Sequence, residues 1–204
     1  MTLPLILVIG ALLLLVGFLL ARPVWVRSSV QRKALAGDAD AQYRLGLFCY
    51  AGQLFPQDDG QAFEWFSKAA GQGHVKACNA VAGLYNEGRG CRKDAQKAFS
   101  FYQKSAQTGD FEGRINLAVC YLQGIGTPKN EAQGVTLLQK AAEDKSPLAC
   151  TLLAQLYERG AGVPKDPKQA LHYYVLAAKQ GEPIAKKWLD NLEPNYLKQY
   201  KTQN

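Results

Sequence analysis

Residues 149–181 read ACTLLAQLYERGAGVPKDPKQALHYYVLAAKQG. Two stretches with apolar residues at helical spacing flank Gly160-Ala161-Gly162-Val163-Pro164, which is turn-forming. Asp166 stands where a carboxylate accepts hydrogen bonds from the first turn of a following helix. The segment predicts helix, loop, helix. Working outward, the same pattern returns every 36 residues. Ala41, Ala77, Ala149 and Ala185 share one phase, with Gly113 in the remaining slot. Gly37, Gly73, Gly109 and Gly181 share another, with Lys145 as the exception, and Gly52, Gly88, Gly124 and Gly160 share a third without a break. A fixed period of this length marks a solenoid. Such a fold supplies an extended surface for partners and seldom a buried catalytic pocket.

The unit Gly109–Asp144 shows the local logic. Asp110 caps a helix beginning near Phe111, along which Ile115, Leu117, Ala118 and Tyr121 fall at helical spacing. Gly124-Ile125-Gly126-Thr127-Pro128 ends it, and Asn130 caps a second helix whose first turn carries Glu131 against the macrodipole. In register, the second-helix caps are Asp58, Asp94, Asn130 and Asp166, and the large pairs are Trp65-Phe66, Phe101-Tyr102, Leu137-Leu138 and Tyr173-Tyr174. The small positions read Gly46, Ala82, Ala118 and Ala154 on the first helix, then Ala62, Ala98, Gly134 and Ala170 on the second. Small residues at fixed places let two helices approach while large ones fill the space opposite.

The net charge of +7 is concentrated at one end. Arg22, Arg27, Arg32 and Lys33 contribute +4, and from Ala34 onward 20 Lys/Arg against 17 Asp/Glu leave +3. That mixed surface is not the basic face a nucleic-acid binder needs. The five cysteines, Cys49, Cys78, Cys91, Cys120 and Cys150, cannot all pair within one chain, and most occupy packing slots, which suits free thiols in a reducing compartment.

Residues 3–21, LPLILVIGALLLLVGFLLA, carry no charge. At about 1.5 Å per residue a helix of this length spans most of a roughly 30 Å hydrocarbon core. The alternative is a cleaved signal peptide. Against it, no basic residue precedes the run, the run is long, and the nearest small-x-small site, Ala34-Leu35-Ala36, lies beyond four positive charges. The positive-inside rule then puts the C-terminal part in the cytoplasm. Trp25 suits either an interfacial position or a linker packed on the first repeat.

The pattern from Ala149 through Gly160-Ala161-Gly162-Val163-Pro164-Lys165-Asp166, Ala170, Tyr173-Tyr174 and Ala177-Ala178 to Gly181 resembles the Sel-one-like repeat, a branch of the tetratricopeptide superfamily. The resemblance covers roughly residues 37–192. It implies an all-α, right-handed α/α solenoid of about four helix-pair repeats plus a capping helix, acting as a non-catalytic adaptor for a protein or peptide. The expected organisation is a transmembrane helix over 1–21, a basic juxtamembrane linker over 22–36, repeats over 37–72, 73–108, 109–144 and 145–180, a cap over 181–192 ended by Pro194, and a tail over 193–204. Cysteine-rich bacterial relatives staple each repeat with a disulfide. Cys78 and Cys150 occupy the second-cysteine slot, but Ala70 and Ala142 stand where their partners belong, so that version is not built here.

No set of catalytic groups converges in the pattern. His74 shares its slot with Asp38, Asp110, Ser146 and Glu182 and reads as a solvated turn residue; His172 shares its slot with Glu64, Ser100 and Thr136 and reads as an exposed one. There is no Cys-x-x-Cys pair for a metal and no Ser-x-x-Lys. Gly88-Arg89-Gly90 and Gly160-Ala161-Gly162 follow a helix, where a dinucleotide-binding turn follows a strand, and read as turn formers. The chain is therefore expected to be no enzyme, with no cofactor, metal, nucleic acid or small-molecule substrate. The superfamily's concave face, carried over by alignment, nominates Tyr43, Leu47 and Tyr50; Asn79, Gly83 and Asn86; Ile115, Val119 and Leu122; and Thr151, Gln155 and Glu158 as partner-binding positions. They vary between units while the packing slots do not. Two readings stand: an exposed apolar groove for a peptide, or core residues of a tight superhelix. The function expected is a membrane-anchored scaffold with cytoplasmic repeats. The alternative is an exported periplasmic protein acting on cell-wall components or their enzymes.

Overall fold

Capped helices account for most of the chain. The computed structural model describes residues 28–192, which contain helices and no strand. Helix α1 occupies residues 28–35 of the described chain. It is followed by α2 (Ala39–Ala51), α3 (Asp59–Gly71), α4 (Val75–Glu87), α5 (Ala95–Gln107), α6 (Phe111–Gln123), α7 (Glu131–Glu143), α8 (Pro147–Arg159), α9 (Pro167–Lys179) and α10 (Pro183–Asp190). Two compact units result, one ending at Lys93 and the other beginning at Asp94. In the first, α3 packs on α2 and α4; in the second, each of α5 to α10 packs on the next.

Local chemistry sets the ends. Asp58, Asp94, Asn130 and Asp166 each accept a first-turn N–H of α3, α5, α7 and α9. Asp38, His74, Asp110, Ser146 and Glu182 do the same for α2, α4, α6, α8 and α10. Each first helix from α2 to α8 ends on a left-handed glycine, Gly52, Gly88, Gly124 or Gly160, whose N–H closes the last turn. The remaining glycine slot, occupied by Lys145, keeps the left-handed backbone at φ 61° despite its side chain.

The packing slots fill as their alternation requires. In the first unit Leu45, Cys49, Ala62, Phe66 and Ala69 are buried. In the second, one cluster joins Ala118, Val135, Leu138, Ala141, Ala149 and Leu153, and a neighbouring one joins Cys150, Ala154, Tyr174, Ala177 and Ala185. Cys49, Cys78, Cys120 and Cys150 are buried, while Cys91 is half-buried. Burial pushes the Cys120 thiol up to about 11 and raises those of Cys49 and Cys150. Since the thiolate is the reactive form, a thiol reagent at neutral pH is expected to label Cys91 alone in the folded full chain, and all five cysteines after denaturation. Rapid native labelling of a second cysteine, read by mass spectrometry, would contradict this packing.

Two features go beyond the local pattern. The linker placed over residues 22–36 is helical over 28–35, with Val30 and Ala34 buried. The Ala34 carbonyl accepts from Gln42 Nε2 at 3.1 Å, tying α1 to α2. The signal was in the register, since Val30 and Ala34 lie one period before Phe66 and Ala70. The second loop glycine, a turn former at φ 67° in Gly126, also serves close contact: a Cβ on Gly126 would lie 2.0 Å from the Ala95 carbonyl oxygen in the first turn of α5. Gly90 against Asp59 and Gly162 against Glu131 repeat the arrangement. The first repeat's loop carries Leu54 in this slot, at φ 64°. Among the described residues no earlier helix pair lies before that loop. The expected span over residues 3–21, Trp25, Pro194 and the tail lie outside the described residues. Among those described, no helix is long and apolar enough to cross a membrane.

Candidate functional site: the first-helix faces

The nominated residues sit at i, i+4 and i+7 on the first helices, a spacing that puts each trio on one helix face. On α2, Leu47 is exposed at 39% and Tyr43 and Tyr50 are half-buried. On α4, Asn79, Gly83 and Asn86 are half-buried. Between these helices Leu47, Tyr50, Phe66, Ala80, Gly83, Leu84 and Glu87 line a shallow cleft of about 210 Å³. Its floor is apolar and its rim carries one carboxylate.

Tyr50 is held from the side. Its hydroxyl accepts from Arg89 Nη1, and the guanidinium lies 4.3 Å from its ring centroid. The same guanidinium donates through Nη2 and Nε to the Asp59 carboxylate, at 2.8 and 3.0 Å. The side-chain hydrogen bond to Asp59 raises the Arg89 pKa further, so the charge is permanent. Arg89, the middle residue of Gly88-Arg89-Gly90, thus fixes its own loop to the start of α3 and orients the tyrosine at the cleft. Sequence reasoning passed over it. The signal available was its departure from Gln53, Ile125 and Ala161 in the same slot.

In the second unit the nominated residues divide. Ile115 and Thr151 are 4% and 1% exposed and belong to the packing, so they are removed from the contact set. Ile115 joins the Leu138–Leu153 cluster, and Thr151 Oγ1 donates to the Pro147 carbonyl at 3.0 Å and the Glu182 carboxylate at 3.3 Å. Val119, Leu122 and Gln155 are half-buried. Glu158 is exposed but already employed. Its carboxylate accepts from the Tyr174 hydroxyl at 3.2 Å and from Trp188 Nε1 at 3.3 Å, while the two rings stack with centroids 4.0 Å apart. Burial and the Glu158 charge push the Tyr174 phenol well above the usual range. Glu158 therefore locks α10 onto α8 and α9.

His172 is exposed on α9, its ring edge-on to Tyr173. His74 departs from its reading as a solvated turn residue. It caps α4, its Nδ1 accepting the Ala77 N–H at 3.1 Å, and it is half-buried. Its ring stacks on Tyr43, centroids 4.6 Å apart. Among the described residues no group of three or more His, Cys, Asp or Glu side chains comes together as a metal set.

Helix pairs of fixed length, small residues at the crossings and a glycine-tipped loop laid on the preceding pair define a helical-repeat protein of the solenoid class. The chain belongs to the Sel1 repeat family, whose model matches residues 39–74, 75–110, 112–146 and 147–182. Sel1 repeat proteins are generally protein-interaction scaffolds. Among solved structures, the chain is similar to c5321, a protective antigen of uropathogenic Escherichia coli strains displaying an SLR fold, with 31% identity and a TM-score of 0.74 over 79% of this chain and 35% of that one. It is similar to a Sel1 repeat protein from Oxalobacter formigenes, with 27% identity and a TM-score of 0.72 over 76% of this chain and 63% of that one. It also resembles the immunity protein PA5088 from Pseudomonas aeruginosa, with 32% identity and a TM-score of 0.53 over 74% and 55% of the two chains. The chain thus spans about a third of the first of these and less than two thirds of the other two. No curated protein matches it.

Proposed function

We propose that this protein is a membrane-anchored interaction scaffold that holds a protein or peptide partner on the first-helix faces of its repeats. The observation that carries the reading is the α2/α4 cleft, where an exposed Leu47 and an oriented Tyr50 border an apolar floor. Single exposed leucines are ordinary, but an aromatic fixed by a permanent cation beside a concave apolar surface is the arrangement of a binding anchor. In the second unit Val119, Leu122 and Gln155 extend the nominated set. The similarity to an immunity protein supports a protein partner.

The anchor in this reading is residues 3–21, with Arg22, Arg27, Arg32 and Lys33 on its cytoplasmic side. A fusion of a reporter active only outside the cytoplasm to the C-terminus tests the side. An inactive reporter fits cytoplasmic repeats, and an active one transfers the repeats to the periplasm, the setting of a cell-wall role. Partner binding is tested by proximity labelling from the full chain. Leu47→Asp places an uncompensated charge at the cleft without touching the Arg89–Asp59 pair. Labelling of the principal partner is expected to fall at least about tenfold, the equivalent of about 1.4 kcal/mol. Unchanged labelling in both Leu47→Asp and Leu122→Asp would remove the first-helix faces from the function.

A further inference from the structure

Of the five first-helix caps, Asp38, His74, Asp110, Ser146 and Glu182, one is an imidazole. Its contacts define its protonation state. Nδ1 accepts the Ala77 N–H at 3.1 Å, so it carries no hydrogen. Nε2 lies 3.0 Å from Asp40 Oδ1 on α2 and therefore carries the proton that it donates. The cap needs a neutral ring in one tautomer, because an imidazolium has no acceptor.

We propose that His74 is a proton-operated latch between α2 and α4. Neutral, it joins the two helices: Nδ1 closes the first turn of α4 while Nε2–H holds Asp40. Protonated, it lets go of α4 and stays with α2. The groups facing it divide accordingly. From α2, the Asp40 carboxylate keeps its hydrogen bond and gains an opposite charge, and the Tyr43 ring, stacked at 4.6 Å and 27°, gains a cation on its face. Arg44 of α2 and Lys76 of α4 line the same cleft and add positive charge, as does the N-terminal end of the α4 dipole. At the end of α3, Gln72 is neutral and donates to Gln42 Oε1 at 2.8 Å, and Lys68 of α3 lies over Trp65. The interactions that protonation strengthens, with Asp40 and Tyr43, are on α2; the cap it removes is on α4, and Arg44 of α2 opposes it together with Lys76 and the α4 dipole. Whether Nδ1 carries a proton then controls the first turn of α4 and the restraint on Tyr43.

The test uses the full chain in detergent micelles, compared with His74→Asn, which retains a capping oxygen that does not titrate. At pH 8 the nitrogen resonances of the ring are expected to show Nδ1 bare and Nε2 protonated. The ratio of wild-type to His74→Asn amide exchange at Ala77 divides out the intrinsic pH dependence. It is expected to rise about fivefold from pH 8 to pH 5.5, the factor carried by one cap. At pH 5.5 the wild-type ring keeps its proton–proton contacts to Tyr43, and these are expected to weaken in Asp40→Asn. A constant exchange ratio, or Nδ1 protonated at pH 8, overturns the proposal. So does loss of the Tyr43 contacts in the wild type at pH 5.5, since the ring would then have left both helices.

Discussion

Gly126→Ala is expected to destabilise the protein by about 2–5 kcal/mol. Two costs add. The backbone at Gly126 has φ 67°, a left-handed conformation that costs an L-residue about 1–2 kcal/mol. The added Cβ would then lie 2.0 Å from the carbonyl oxygen and 2.5 Å from the carbonyl carbon of Ala95. Those are backbone atoms of a capped helix and cannot turn aside as a side chain would. Relieving the clash means lifting the α6–α7 loop off α5, which costs about 1–3 kcal/mol or somewhat more. Gly109→Ala separates the two terms. Its φ is 89° and nothing lies within 4 Å of the added carbon, so only the conformational cost of about 1–2 kcal/mol applies. Chemical denaturation of both variants checks the prediction. Equal losses would mean that the loop is not pressed against its neighbour.

Phe66→Ala should cost about 3–5 kcal/mol, since a phenylalanine 2% exposed leaves a cavity when truncated. The informative measurement is the pair with Gly46. In the wild type a Cβ at 46 would meet Phe66 Cδ1 and Cε1 at 2.6 Å, so Gly46→Ala is expected to destabilise by about 1–3 kcal/mol. In an ordinary helix interior the same change stabilises by roughly 0.5–1 kcal/mol. Once Phe66 is alanine the clash is gone, and Gly46→Ala is expected to turn neutral or favourable. A double-mutant cycle reads this change of sign directly. Additive effects would mean that ring and glycine do not share one space.

The candidate site was partly legible before the fold was. The i, i+4, i+7 trios on the first helices follow from helical periodicity and from the positions that vary between units. Periodicity assigns a residue to a face and leaves open how deeply that face is covered by the next helix. Ile115 and Thr151 illustrate the gap: both share slots with accessible residues, yet α7, α8 and α10 enclose them. Glu158 is accessible but committed to Tyr174 and Trp188, two residues that sequence spacing does not bring to it. Arg89 was passed over because its partners, Tyr50 and Asp59, lie 39 and 30 residues upstream.

By itself the sequence determined the period, the helix pairs, the second-helix caps, the loop glycines and the slots for large and small side chains. These are decided by short-range chemistry: which side chains accept a first-turn N–H, which residues tolerate a left-handed backbone, and which spacings line one helix face. The tertiary structure alone decided what lies on the other side of each slot. It turned a turn-forming glycine into a point of contact between repeats, a basic linker into a helix, and a surface histidine into a cap shared by two helices. Each outcome depends on a partner supplied by another helix, and packing distances of this kind are set by the assembled core rather than by local propensity.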